Sequence, residues 1–353
     1  MRIVVAMSGG VDSSVAAALL SHDGHDVVGL SMQLYDQRDG DITFGSCCTL
    51  DDLHDARRVA GLLGIPHYIL NFERKFKASV VNNFISEYEN ARTPIPCVHC
   101  NGELKFSTLL ERAHGLDAPK LATGHYAQVI KKKDGTYALK RGVDLEKDQS
   151  YFLFSLTQAQ LACASFPLGQ QQKSEVRAYA EKFNLPVAQK PDSHELCFVP
   201  DGDYASFIEK QSPSIGKSGR ITDSSGATLG DHDGIHRFTI GQRRGLGISN
   251  AVPLYVTQLD AETNTVTVGE RSQLEKSNLT ASDVNWIAGT PPSSPLSLSV
   301  QIRHQHKAVQ ATVKAEGAGR AHVTFEEPQP AITPGQAAVF YERETVIGGG
   351  WID

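Results

Sequence analysis

The residues most able to do chemistry lie in three places. Near the N-terminus, Ser8-Gly9-Gly10-Val11-Asp12-Ser13-Ser14 falls between an apolar run and an Ala/Leu-rich one. Gly9 and Gly10 have no Cβ, so their backbone N–H groups can close on an anion. A helix starting there would aim its positive end at the same spot. Ser8 and Ser13 add hydroxyls. Asp12 would repel a phosphate unless a cation such as Mg²⁺ lies between them. Neither a Walker Gly-Lys-Ser/Thr sequence nor the dinucleotide glycine fingerprint is present. The second place is Pro96-Cys97-Val98-His99-Cys100-Asn101, ahead of the helical run Glu103–Ala113, where Cys100 would sit near a helix N-terminus that favours thiolate. The third is Cys197, in Lys190-Pro191-Asp192-Ser193-His194-Glu195-Leu196-Cys197-Phe198. Taken alone, each of these cysteines reads as a small buried apolar residue.

The elements around these residues alternate. Arg2–Met7, Asp26–Met32, Pro66–Asn71 and Leu121–Gly124 read as strands, and Val11–Leu20 and Asp51–Leu63 as helices, which predicts a doubly wound parallel sheet. After Pro200 the composition turns to Gly, Ser, Asp and Thr. From Leu296 onward, Leu296–His304, Ala308–Lys314, Ala321–Phe325, Ala337–Tyr341 and Thr345–Gly348 predict a small antiparallel β-barrel or sandwich. Pro291–Pro295 marks a boundary or a turn. The expected division is 1–202 for the α/β region that carries the glycine loop and the cysteines, 208–275 for a central region and 280–353 for a β-barrel.

The chain has 353 residues, 40% hydrophobic and 21% charged, with a formal net charge of −6. This balance fits a globular protein and excludes a generic basic nucleic-acid coat, leaving RNA contact to local patches. No apolar run reaches the roughly 18–20 residues of a spanning helix. Without a signal-peptide pattern the expectation is cytoplasmic, where six cysteines suggest metal or redox chemistry. Candidate patches are Lys131-Lys132-Lys133, Lys140-Arg141, Arg243-Arg244 and Arg303-His304-Gln305-His306-Lys307, although the first reads equally as a solvated hairpin. Cys47-Cys48 read as structural and Cys163 as core.

The Ser8–Ser14 loop resembles the SGGxDS loop of the N-type ATP pyrophosphatases. Together with Cys100-Asn101, Lys105-Phe106, Gly124-His125-Tyr126, Lys147–Leu153, Cys197-Phe198, Phe238–Gly247, Thr333–Gln336 and Gly348–Trp351, it makes the whole chain similar to the tRNA-specific 2-thiouridylases. The resemblance implies ATP-dependent 2-thiolation of the wobble uridine (position 34) by adenylation of O2. ATP would bind at Ala6, Met7, Ser8, Gly9, Gly10, Val11, Asp12, Ser13, Met32 and Gly124. Cys197 would carry a persulfide from a sulfur-relay protein or cysteine desulfurase. Cys100 would be the nucleophile that frees its sulfur, closing a disulfide or releasing hydrosulfide. Ile95, Pro96, Cys97, His125, Lys147, Asp148, Gln149, Arg303, His304 and Gln336 would contact tRNA, and the enzyme would act as a monomer.

One departure stands out. Many of these enzymes have Asp three residues before the nucleophilic Cys, and here that residue is Cys97. With Cys100 and Cys197 it could complete three ligands of a [4Fe–4S] cluster. A redox dithiol, a zinc site or a neutral replacement of Asp are the alternatives.

Overall fold

The computed structural model describes residues 1–35, 50–192, 196–199, 202–317 and 319–353. Cys47-Cys48 and Ser193-His194-Glu195 lie outside these. The Ile/Val run Arg2–Ala6 is the centre of a five-stranded parallel sheet. Its order is His67–Asn71, Asp26–Gln33, Arg2–Ala6, Lys120–Ala122, Ala164–Ser165. Alternation along the central strand sends side chains to both faces. Val4 joins Leu30, Phe76, Phe84, Leu104 and Leu109 on one side. Ile3 and Val5 join Val15, Ala56, Val59 and Val176 on the other. Both faces are therefore covered by helices, as a parallel sheet requires. The chain runs outward from Arg2–Ala6 in one direction and later in the other. That reversal leaves a crevice at the C-terminal strand ends between Arg2–Ala6 and Lys120–Ala122, the usual ligand position in such sheets.

A second, four-stranded sheet has the order Tyr255–Asp260, Thr265–Gly269, Gly219–Thr222, Thr228–His232. It closes on Ile221, Phe238, Leu246, Val256, Val266 and Val268. It leans on the first region through Tyr204, whose ring stacks on Tyr88 at 5.0 Å.

The C-terminal strands close into a six-stranded antiparallel barrel. All five strands expected there are present. The closing strand, Glu275–Trp286, pairs with Arg320–Pro330 on one side and Thr345–Ile352 on the other. The sequence reading missed it because its first four residues are exposed and polar and its register shifts on both sides, which breaks the alternation. Pro291–Pro295 is a turn inside the barrel. The hairpin Ala127–Lys131 with Tyr137–Arg141, from the first region, extends the barrel sheet by pairing Leu139 with Val346 and Lys140 with Thr345. Lys131, Lys132 and Lys133 are exposed at its turn. The contact is sealed by polar groups. Arg141 lies 3.6 Å over the Tyr341 ring, and Asn285 Nδ2 donates to Phe154 O at 2.7 Å.

Candidate active site

The Ser8–Ser14 loop leaves the central strand at the crevice and enters the helix Val11–His22. Gly9 has φ +77, and a Cβ there would come within 2.1 Å of Asp52 O. Only glycine fits. Ser13 Oγ accepts from Ser8 N at 3.1 Å and Ser14 Oγ donates to Gly10 O at 2.8 Å, so the loop is closed by its own hydroxyls. Gly124 comes in from the neighbouring strand, so close that a Cβ would stand 2.7 Å from Ser13 N. Thus Ala6 to Ser13 and Gly124 meet at one helix N-terminus. Met32 is next to last in its strand with its side chain buried in the core, so the strand end presents its backbone. Val11 and Met7 are likewise buried by their side chains.

A web of ion pairs surrounds the loop, and sequence reasoning missed most of it. Asp12 accepts from Lys173 Nζ at 2.8 and 2.9 Å and from the Tyr126 hydroxyl at 2.8 Å. Lys173 also pairs with Asp192 at 2.8 Å, as do Lys147 and Arg177. Partial burial pushes the Asp192 carboxyl up, but hydrogen bonds from Lys147 and Lys173 outweigh it and hold it well below the usual carboxylate range. Lys190 bonds Gly9 O at 3.1 Å, Asp52 at 2.6 Å and Asp55 at 2.8 Å, tying the loop to the helix Leu50–Leu63. Burial and then the Asp12 charge push the Tyr126 hydroxyl far up, so it stays a proton donor to Asp12. One local signal for Lys173 existed. It is the first residue of the helix Lys173–Lys182, where a cation opposes the helix dipole and so needs another reason to be there.

The cysteine turn is built differently. The helix starts at Pro96, the favoured residue for a first helical position, and winds as a π-helix over Cys100–Leu109. Ile95 and Pro96 are buried, Cys97 is exposed and Cys100 is half-buried. Cys197 is half-buried too and packs against the same apolar cluster as Cys100. Its neighbour Phe198 is anchored edge-on to Phe84 at 5.0 Å and Phe76 at 5.6 Å. The barrel grips the turn from outside. The Trp351 ring stacks on His99 at 5.0 Å, Gln336 Nε2 donates to Thr93 O at 3.1 Å, Thr93 N donates to Pro334 O at 2.9 Å, and Arg92 donates to Ile352 O at 3.0 Å. Gly335, at φ +85, lies where a Cβ would stand 2.9 Å from Thr93. The two C-terminal motifs singled out in the sequence thus flank Cys97, one on Thr93 before it and one on His99 after it.

Among the described residues, no three His, Cys, Asp or Glu side chains gather as a metal cradle. Cys97, Cys100 and Cys197 do not form one, and no step below passes through a cluster. Asp12 is the kind of donor Mg²⁺ takes beside water and phosphate, and to hold it this carboxylate would exchange at least one of its Lys173 contacts for the ion.

The remaining expected contacts spread along the groove. His125 is buried, with Nδ1 bonded to Thr123 Oγ1 at 2.6 Å. Burial and then Lys105 drive its pKa well below the ordinary value, so it is neutral. Asp148 is buried under Arg141, Gly142 N and Ser150. Gln149 Oε1 accepts from Tyr126 N at 3.1 Å. Both therefore hold the fold together around Tyr126. Asn101 Nδ2 donates to Phe152 O, and the Phe152 ring meets His304 at 4.4 Å, which links the cysteine helix to the barrel's basic segment. Arg303 is half-buried beside it, and Arg243 and Arg244 are exposed on the central sheet region.

A parallel sheet with a glycine loop at its crossover is the frame of a HUP-type α/β domain, followed here by a barrel. The chain matches the model of the tRNA methyl transferase HUP domain over residues 1–201, the PRC-barrel domain of the same name over 205–270 and the aminomethyltransferase beta-barrel domain over 276–352. It is 51% identical to a tRNA-specific 2-thiouridylase MnmA of Geotalea uraniireducens over 100% of this chain and 95% of that protein. It is 51% identical to that of Geobacter metallireducens over 100% and 96%, and 49% identical to that of Magnetococcus marinus over 99% and 98%. The domain descriptions mention methyl transfer, but the relatives matched from end to end are named for thiolation. The chain belongs to the tRNA-specific 2-thiouridylase family and is a tRNA sulfurtransferase.

Proposed function

We propose that the enzyme activates O2 of the wobble uridine with ATP and replaces it with sulfur carried on Cys197. The observation that carries this reading is the Ser8–Ser13 loop, closed by its own hydroxyls at a helix N-terminus and crossed by Gly124. A urea-like carbonyl has a poor leaving group. Attack of O2 on the α-phosphorus releases pyrophosphate and turns that oxygen into a phosphate ester. Mg²⁺ at Asp12 would supply charge neutralisation for the phosphates, and Lys173 and Lys190 are the cations beside the loop. The terminal sulfur of a Cys197 persulfide then attacks C2 and AMP leaves. The Cys100 thiolate attacks Cys197 Sγ, freeing the thiouridine and leaving a Cys100–Cys197 disulfide. Both thiols border one apolar cluster, which supports their meeting.

The uridine must leave its loop to reach this site, as base-modifying chemistry requires. Lys147, Arg303, Arg243 and Arg244 supply positive charge for the RNA backbone, and His304, whose pKa burial lowers, offers an uncharged ring. Ile95, Pro96, Cys97, His125, Asp148, Gln149 and Gln336 shape the walls the base passes. We assign ATP chemistry to 1–202, central tRNA contact to 208–275 and the barrel to 280–353. The enzyme would act as a cytoplasmic monomer fed by a sulfur-relay protein or cysteine desulfurase. Cys197→Ser tests the sulfur half of this reading: thiolation is lost while tRNA affinity stays within about twofold. Loss of tRNA binding in that variant would make Cys197 structural and contradict it.

A further inference from the structure

We infer that Cys97 is the resolving thiol that resets the enzyme after each turnover, passing the disulfide from the buried site to the surface. This rests on the Cys100–Cys197 disulfide of the proposed cycle. Two observations carry it. Cys97 is exposed, whereas Cys100 and Cys197 are half-buried against an apolar cluster. A disulfide between the latter two is thus poorly placed for attack by a bulky protein reductant. Cys97 and Cys100 are three residues apart in one helix, and Cys100 N–H donates to Cys97 O. That spacing sets their Cα atoms about 5 Å apart, inside the roughly 4.4–6.8 Å a disulfide spans.

The step is thiol–disulfide exchange. The Cys97 thiolate attacks Cys100 Sγ, the Cys100–Cys197 bond breaks, and Cys197 leaves as thiolate ready for a new sulfur. The new Cys97–Cys100 disulfide faces solvent. A protein dithiol of the thioredoxin class supplies two electrons and two protons, reduces it and is itself oxidised to its disulfide. The barrel holds this turn through His99 and Thr93, so the exposed sulfur keeps a fixed aspect toward that reductant.

The test compares full-length wild type with Cys97→Ser. Each is run first for one turnover without reductant, quenched by alkylation and mapped by mass spectrometry. Each is then run for many turnovers with a thioredoxin-type dithiol or with a small phosphine. In wild type the disulfide is found within the peptide carrying both Cys97 and Cys100. In Cys97→Ser it is trapped as a cross-link from Cys100 to the Cys197 peptide. The ratio of later turnovers to the first falls at least about tenfold with the protein dithiol and recovers with the phosphine. Equal clearance of the Cys100–Cys197 cross-link by the protein dithiol in both proteins overturns the inference. If neither disulfide forms in either protein after a turnover, the disulfide cycle itself fails.

Discussion

The Ser8–Ser14 loop and the turn that carries Cys97 and Cys100 are held by different means. The loop is local. Its strand, loop and helix are contiguous, its hydroxyls bond its own backbone, and distant residues reach it through the Lys173 ion pair to Asp12 and the Lys190 hydrogen bond to Gly9 O. The cysteine turn is fixed from more than two hundred residues away, by Trp351 on His99, Gln336 on Thr93 and Ile352 on Arg92. The loop is thus written into a short stretch of chain, whereas the placement of the cysteine turn depends on how the barrel docks.

That contrast can be broken at either end. Asp12→Ala removes the carboxylate shared by Lys173 and Tyr126, and pyrophosphate release should fall about 10²–10³-fold or more in a coupled phosphate assay. Persistent release would show that the loop does not need Asp12. Trp351→Ala should instead separate the two half-reactions. Pyrophosphate release stays within about threefold, while thiouridine formed per AMP drops roughly tenfold because Cys100 loses its outer support. An equal fall in both would mean that the barrel holds the loop as well.

Sequence reasoning reached the loop for the same reason that the loop is local: glycines, serines and an acid in a row report their own geometry. The parallel sheet was legible because its strands are apolar and evenly spaced between helices. The ion-pair web was not, since Lys173, Lys190 and Asp192 stand far from Asp12 in the chain and a lone Lys is ordinarily solvated. The strand Glu275–Trp286 was hidden by its polar start and bulges. The docking of Thr333–Gln336 and Gly348–Trp351 on Thr93 and His99 was visible only as two glycine-containing motifs, in which Gly335 presses on Thr93 and Gly349 on the Phe154 ring.

A smaller effect sharpens the picture at the seam between the two regions. His125 is buried and neutral, with its folded pKa depressed below the unfolded value near 6.5. The unfolded chain therefore takes up a proton first as pH falls. The stability His125 contributes is complete above that value and is lost as pH drops toward its folded pKa, at up to about 1.4 kcal/mol per pH unit. Melting curves of His125→Gln between pH 7 and about pH 5 should be flatter than wild type. Parallel curves would mean that folding does not shift the His125 pKa.

The central claim is that ATP activates the uridine oxygen itself. The most direct measurement uses tRNA carrying ¹⁸O at O2 of the wobble uridine, one turnover with ATP and persulfide donor, and mass spectrometry of the nucleotide released. The account predicts the label in the phosphate of AMP. Label in water or in pyrophosphate, with 2-thiouridine still formed, would contradict it.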